Sequence, residues 1–359
     1  MSMERTSSGA SDPTTAPRTG VVTELGGGRL LGHGSTPHLD PDAAAAFSIG
    51  EFDIATVPSL PQRSIHESML GQVVEHTPGV SVGADGGLVV DPARFDPAVG
   101  ADADAVDLTG EGFASLRAFL DLAVAIGHDA KPVKWQLVGP VTLGRALTAA
   151  GVGVTDAFGF AERVVRAHLG AVGAQVRRAL PASDQVVLID EPWLVELMSH
   201  DFPVAPDEAV DLMSSAMASA ATVGDVVGVH CCGPCDLATL LASGPQIISI
   251  PADPALLDYA GYLDRFLDDG GIVAWGVVPT DRPVGPSSDR YWKALAELWC
   301  GLVERGIDAG TLRRQALITP TCGFAHHQVS VARRLTRLTG EVARKVKDQA
   351  AATRFALGA

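Results

Sequence analysis

Aromatic side chains are scarce in this 359-residue chain, where five Trp, three Tyr and eleven Phe make up 5% of the sequence. Ala, Val, Leu and Gly dominate instead, which suits closely packed helices and strands rather than a β-sandwich core. Basic residues are also in short supply. There are 27 Lys and Arg against 42 Asp and Glu, a formal net charge of −15 that no basic run interrupts. Such a surface repels phosphate backbones and anionic lipid, which argues against nucleic acid and membrane surfaces as partners. No apolar run approaches the ~18 residues of a membrane span, and Met1 to Thr6 lack the apolar core of a signal peptide. A cytoplasmic protein is expected. Cysteines number five, an odd count gathered beside a histidine, which fits a reducing compartment and a metal site better than a disulfide framework.

What is present is a rhythm of short apolar runs, each followed by a longer stretch. The runs are Arg29 to Gly32, Asp53 to Val57, Val133 to Val138, Val186 to Ile189, Val226 to Val229, Ile247 to Ile250, Ile272 to Val277 and Ala316 to Thr319. Helix-like segments fall between them at Phe113 to Ala125, Asp156 to Leu180, Ala205 to Val223, Leu257 to Leu267 and Tyr291 to Gly306. Strands alternating with helices imply a parallel sheet, and eight of them imply closure into a (β/α)8 TIM barrel. Residues 1–27, rich in Ser, Thr, Pro and Gly, are expected to be a disordered leader, and residues 28–359 a single barrel domain. The stretch from about 62 to 110 is too long for one connection. Within it Val80 to Val90 alternates apolar residues around Asp85-Gly86, a hairpin signal, and it reads as an insertion between the second and third strands that folds over the barrel mouth.

The chemistry concentrates in His230-Cys231-Cys232-Gly233-Pro234-Cys235, one imidazole and three thiols directly after a buried strand. His230 and Cys232 are two residues apart, so an extended backbone turns both to one face. A catalytic zinc needs three protein ligands, and Cys322 is the best third, because it also follows an apolar run and precedes a glycine. His, Cys and Cys form a soft donor set that suits Zn²⁺ and disfavours Mg²⁺ or Ca²⁺. Two alternatives stand beside this. Cys232 and Cys235 match a C-x-x-C redox pair, and a lone buried cysteine is ordinarily a small hydrophobe.

Barrel enzymes carry their chemistry on the loops after the carboxyl ends of the strands. Asp190 and Glu191 stand at such an end. Asp190 is the candidate catalytic carboxylate and a candidate for holding the ammonium of an amino-acid substrate, and Glu191 is a candidate substrate contact or turns outward, with capping of a helix near Pro192 as the alternative for either. Gly32-His33-Gly34-Ser35 is a small loop whose Ser35 hydroxyl and backbone N–H groups are candidates for receiving a carboxylate or phosphate, or else an ordinary turn. Lys134 and Gln136 alternate with Trp135 and so face the barrel interior together. Gln136 is a candidate substrate contact, and Lys134 a partner for a neighbouring carboxylate. His326-His327 lies just beyond Cys322 as an alternative ligand pair or a helix start.

The spacing His230-x-Cys232…Cys322 on eight βα units, with Asp190-Glu191-Pro192 after the fourth, resembles the catalytic barrel of cobalamin-independent methionine synthase. More broadly it resembles the superfamily that includes zinc-dependent thiol alkyltransferases and uroporphyrinogen decarboxylase, and most of all its short, single-barrel members. The resemblance implies a zinc held by His230, Cys232 and Cys322, a homocysteine-like thiol as substrate, Asp190 at the substrate's amino group and Ser35 at its carboxylate. It implies a methyltransferase of methionine biosynthesis, with methyl-folate or a methylated corrinoid protein as donor. Two places depart from the family. Pro251 stands where the synthases carry a glutamate ligand, so that Asp253 or Cys235 becomes the alternative fourth donor. A Gly-Glu-x-Glu-Arg stretch used for homocysteine is not recognisable between residues 60 and 110. The alternatives are a thiol acceptor of the coenzyme M kind, a decarboxylase-like lyase acting on a porphyrin, and a non-enzymatic zinc or redox sensor.

Overall fold

Each of the eight apolar runs forms a strand, because β-branched and aliphatic side chains fit a pleated surface that is covered on both faces. The computed structural model describes residues 25–99, 103–128 and 130–356, with side chains to residue 349. Its strands are β1 (Arg29–Leu30), β2 (Ala55–Thr56), β3 (Val80–Val82), β4 (Leu88–Val90), β5 (Val133–Val138), β6 (Gln185–Asp190), β7 (Val226–His230), β8 (Ile247–Pro251), β9 (Ile272–Val278) and β10 (Ala316–Pro320). All but β3 and β4 belong to one parallel sheet in the order β1-β10-β9-β8-β7-β6-β5-β2. Its edges meet through parallel bridges from Leu31 to Ile54 and from Ser35 to Ser59, supported by the Asp53 N–H donating to Leu30 O at 3.0 Å. The sheet therefore curls into the expected TIM-type barrel.

The pleat decides what each strand shows to the interior. Leu31, Ile54, Val186, Leu188, Val226, Ile247, Ile272, Ala274 and Leu317 fill the lumen as one buried cluster, with Leu25 joining it. Their neighbours Val187, Ile189, Val227, Val229, Ile248 and Val273 join a larger cluster with the surrounding helices. Continuing the inward series by two residues brings Asp190 and His230 to the top of the lumen, where they are paired across β6 and β7. Residues 1–24 of the expected leader lie outside the described residues. Of the rest, the Gly27 N–H donates to the Arg314 carbonyl, and the Gly28 N–H at the start of the barrel domain donates to the Ala316 carbonyl.

The helices expected near 113–125, 156–180, 205–223 and 291–306 are observed as Ala114–Ala125, Val154–Ala179, Pro206–Ala220 and Asp289–Val303. The 257–267 pattern divides into a 3-10 turn, Pro254–Tyr259, and a helix, Ala260–Asp268. Pro41–Glu51, Pro140–Ala149 and Val329–Ala356 are helices that the apolar spacing did not reveal. Pro41–Glu51 owes its start to local chemistry, with Asp40 accepting from the Asp42 N–H and proline in the first turn. Among the described residues no helix is long and apolar enough to cross a membrane.

The β3–β4 hairpin forms with Val80 opposite Val90, and Gly86 takes a φ of +84° in its turn. It does not close over the mouth as expected. β4 packs against helix Pro140–Ala149, and Phe95 packs edge-on against Phe160 of the next helix, because the insertion's apolar residues find their cover on the outer helices. Buried Glu67 anchors the insertion at its base, accepting from the Leu60 N–H at 2.7 Å and from the Ser115 hydroxyl at 2.5 Å. Gln62 reaches across the rim, donating to the Ala325 and His327 carbonyls.

Gly228 sets the distance between β7 and β8. A Cβ there would stand 2.0 Å from the Ile247 carbonyl oxygen, which is backbone and cannot turn aside. Gly228→Ala is expected to cost about 3 kcal/mol or more of stability. A urea midpoint equal to that of the unaltered protein would contradict this.

Candidate metal centre

His230, at the carboxyl end of β7, Cys232 two residues on, and Cys322 two residues beyond β10 offer one donor atom each, and all three atoms lie within 4.8 Å of one another. His230 and Cys322 are 92 positions apart in sequence and meet because parallel strands deliver their carboxyl ends to one bowl. Among the described residues no other group of three His, Cys, Asp or Glu side chains converges in this way. Donors around a tetrahedral zinc stand about 3.5–4 Å apart, so the trio needs only a small contraction to close on the ion.

The imidazole is prepared for that role by its surroundings. Its Nδ1 lies 3.1 Å from the Ser249 carbonyl oxygen and 3.1 Å from the Ser249 hydroxyl, so the Nδ1 proton is donated there and the Nε2 lone pair is left free. Burial, with the Lys134 ammonium nearby, holds His230 neutral by pushing its pKa down to about 3. The His33 ring packs against it at a tilt of 32°, with centroids 4.0 Å apart, and is fixed in turn by a 2.8 Å hydrogen bond between His33 Nε2 and the Pro320 carbonyl. The two thiols share a hydrogen bond, which draws Cys232 down to about 7 and pushes Cys322 up. A neutral imidazole beside two thiols, one of them readily deprotonated, is a zinc-type donor set. Ser249→Ala is expected to weaken zinc binding less than about tenfold, below the usual loss for an outer-shell partner, because the carbonyl still holds Nδ1. A loss beyond a hundredfold in chelator competition would show that the hydroxyl is the essential contact.

The fourth-donor alternatives go elsewhere. Asp253 Oδ1 accepts from the Ala255 N–H at 2.8 Å and caps Pro254–Tyr259, while Cys235 is hydrogen-bonded to Cys231. The C-x-x-C pairing of Cys232 with Cys235 is thus replaced by two other pairs, Cys232 with Cys322 and Cys231 with Cys235. His327 Nε2 is hydrogen-bonded to the Thr280 carbonyl at 2.8 Å, and neither it nor His326 joins the trio.

Beneath the trio lies a charged pair. Lys134 is fully buried, its Nζ donating to the His33 carbonyl at 3.0 Å and to Gln136 Oε1 at 2.7 Å. Asp190 is its electrostatic counterpart, and Asp190 Oδ1 is buried without a hydrogen-bond partner. Burial moves both groups toward neutrality, Asp190 up to about 7 and Lys134 down to about 8, while their mutual attraction opposes this. An acceptor oxygen left open beside the donor trio is suited to a ligand's cationic group. Gln136 also donates through Nε2 to the Val57 carbonyl at 3.2 Å, so both its amide atoms are committed to the barrel ends. Gly34 takes a φ of +106° and lies so close to Gln136 that a Cβ would meet Nε2 at 2.1 Å. Ser35 stands beside Cys322, its hydroxyl 1.9 Å from where a Cβ on Gly323 would fall.

Glu191, expected at the substrate, is occupied otherwise. Its Oε1 accepts from the Val141 N–H at 2.9 Å and its Oε2 from the Thr142 N–H at 2.7 Å, so the fully buried carboxylate caps helix Pro140–Ala149 from a neighbouring strand. The capping alternative pointed to the helix at Pro192. The helix that Glu191 caps begins at Pro140, far earlier in the chain, because adjacent parallel strands set the end of one beside the helix that follows the other. His33 and Ser249 were not singled out as site residues. A glycine-flanked histidine after the first run was the signal for His33, whereas nothing in the sequence distinguishes Ser249 from other strand serines.

No protein-family model matches this sequence, and no curated protein is similar to it. Solved structures are. A B12-independent methionine synthase from a Shewanella species, solved in complex with selenomethionine, aligns with a TM-score of 0.54 at 17% identity, covering 87% of this chain and 89% of that one. A Listeria monocytogenes protein provisionally assigned as a vitamin-B12-independent methionine synthase aligns at 15% identity with a TM-score of 0.47, covering 86% of this chain and 96% of that one. The first likeness establishes a shared fold.

Proposed function

We propose that this protein is a zinc-dependent thiol methyltransferase that transfers a methyl group from methyl-folate or a methylated corrinoid protein to homocysteine, giving methionine. The observation that carries the reading is the convergence of His230, Cys232 and Cys322 within 4.8 Å at the mouth of the barrel, above an unpartnered Asp190 oxygen. It is supported by the fold shared with a protein named as a B12-independent methionine synthase and solved with selenomethionine, a methionine analogue.

His230 Nε2, Cys232 Sγ and Cys322 Sγ would hold the zinc. When bound, the ion supplies the Lewis acidity that makes a substrate thiol, of pKa near ~8.5 in water, a thiolate at neutral pH. The chain's residues do the rest. Asp190 receives the substrate's ammonium at Oδ1 and thereby orients the amino acid. Lys134, the nearest buried cation, favours the ionised form of Asp190 that this contact requires. The Ser35 hydroxyl, beside Cys322, receives the carboxylate. In the transfer one S–C bond forms as the bond from the methyl group to its donor breaks, and the donor leaves with that electron pair. The sensor alternative loses ground because its closed site needs Cys235, which is engaged with Cys231.

Zinc-edge X-ray absorption with and without homocysteine tests this reading. One zinc per chain with two sulfur neighbours, rising to three on adding the thiol, is the expected outcome. A sulfur count indifferent to thiol, or no zinc in protein purified without chelator, would end it.

A further inference from the structure

Cys231 and Cys235 take no part in the site described above, yet they form a thiol pair of their own. Cys231 is completely buried at the end of β7, its Sγ 3.6 Å from the Gly233 carbonyl oxygen and hydrogen-bonded to the Cys235 thiol. Cys235 is half-buried and lines a small cavity of about 40 Å³ together with Pro234, Pro251, Leu256 and Tyr259. That space admits a molecule the size of water or hydrogen peroxide. Between the two thiols in sequence stands Cys232, the proposed metal ligand. Both ends of the segment are fixed. The Cys231 N–H donates to the Ser249 carbonyl at 3.0 Å, and Asp236 caps the next helix at the Thr239 N–H (2.9 Å) while accepting from the Tyr259 hydroxyl at 3.2 Å.

We propose that Cys231 and Cys235 are a peroxide-sensitive dithiol whose oxidation to a disulfide reversibly lowers the affinity of the neighbouring site for zinc. The effect on zinc rests on the function proposed above, whereas formation of the disulfide does not. Cys235, the thiol that faces the cavity, attacks one peroxide oxygen. The O–O bond breaks, one water leaves, and Cys235 becomes a sulfenic acid. Cys231 then attacks that sulfur, the S–S bond forms, and a second water leaves, so two thiols and one peroxide give one disulfide and two waters. The two sulfurs must close from hydrogen-bonding distance to about 2.05 Å. With Cys231 and Asp236 pinned, residues 232–234 absorb the movement, and Cys232 is displaced from His230 and Cys322. Thiol reductant reverses the change.

Metal-free protein treated with one equivalent of hydrogen peroxide should yield, on peptide mapping, a Cys231–Cys235 cross-link that dithiothreitol removes. Chelator competition before and after treatment should show zinc affinity falling at least tenfold and returning on reduction. Cys235→Ser, and Cys231→Ala as a second variant, should bind zinc like the reduced protein and form no such cross-link. A cross-link between Cys232 and Cys322 instead, no cross-link at all, or a 231–235 disulfide with unaltered zinc affinity would each overturn the proposal. If the reduced protein binds no zinc while the 231–235 disulfide still forms, it is the methyltransferase reading that fails, and the dithiol stands alone.

Discussion

Cys322→Ser is expected to lower zinc affinity roughly a thousandfold and to abolish the rise in sulfur coordination on adding homocysteine. Binding of structural zinc is worth about 10–16 kcal/mol at neutral pH, so one ligand's share is about 4 kcal/mol, or three decades in the dissociation constant. Serine keeps the size of the side chain but offers a hydroxyl that stays protonated in place of a thiol. The effect should be local, because Cys322 follows β10 in a loop and is only partly buried. Cys300→Ser is the control. Cys300 is exposed on helix Asp289–Val303, and its replacement should leave zinc content unchanged. Zinc content by atomic absorption, with chelator competition for affinity, decides the matter. A Cys322→Ser protein that retains stoichiometric zinc at unchanged affinity would remove the three-ligand site.

Lys134→Met is expected to cost about 3 kcal/mol of stability at pH 8 and roughly 1.4 kcal/mol less than that at pH 6. Removing one member of a buried charged pair leaves the other uncompensated, which typically costs about 3–5 kcal/mol. Lys134 also supplies the donors to the His33 carbonyl and Gln136, which are left without them. The pH dependence follows from Asp190, whose pKa in the folded protein is raised to about 7 by burial. A carboxyl with a raised pKa holds its proton in the folded state above the pH at which the unfolded chain releases it. Its ionisation therefore destabilises the fold as pH climbs through that window. Lys134 attracts the ionised form and limits the rise, so without it Asp190 stays protonated to higher pH. The variant's deficit should widen above pH 7 by up to about 1.4 kcal/mol per pH unit. Urea unfolding of both proteins at pH 6, 7 and 8 gives the answer. A deficit independent of pH would mean that Lys134 acts through packing alone and is not the electrostatic partner of Asp190.

Chelation separates the two roles of this region. Stripping the metal should abolish transfer while leaving the fold in place, because the barrel lumen below the site is filled by its own aliphatic cluster. Lys134→Met should act in the opposite way, on the fold first.

The barrel, and the soft side chains that stand at its strand ends, are legible along the chain. Eight aliphatic runs separated by helical stretches admit few other arrangements, and a strand's period of two residues places His230 and Cys232 on one face wherever the strand lies. Soft donors at two strand ends pointed to a zinc-type site, and the three side chains converge. The tertiary structure decided what depends on neighbours that are distant in sequence. Asp190 and Glu191 are adjacent carboxylates at one strand end, and only the placement of β5 beside β6 sends Glu191 to a helix terminus and leaves Asp190 facing the lumen. Four of the five cysteines sort into two pairs that no spacing rule gives, because Cys231 turns outward into the helix layer while Cys232 turns toward Cys322. The insertion's hairpin was legible from Asp85-Gly86, but its seat on the outer helices was not, since a local turn signal carries no information about which surface lies within reach. Periodicity is a property of the chain and can be read along it. Partnership is a property of the closed barrel, and it exists only once the strands are in register.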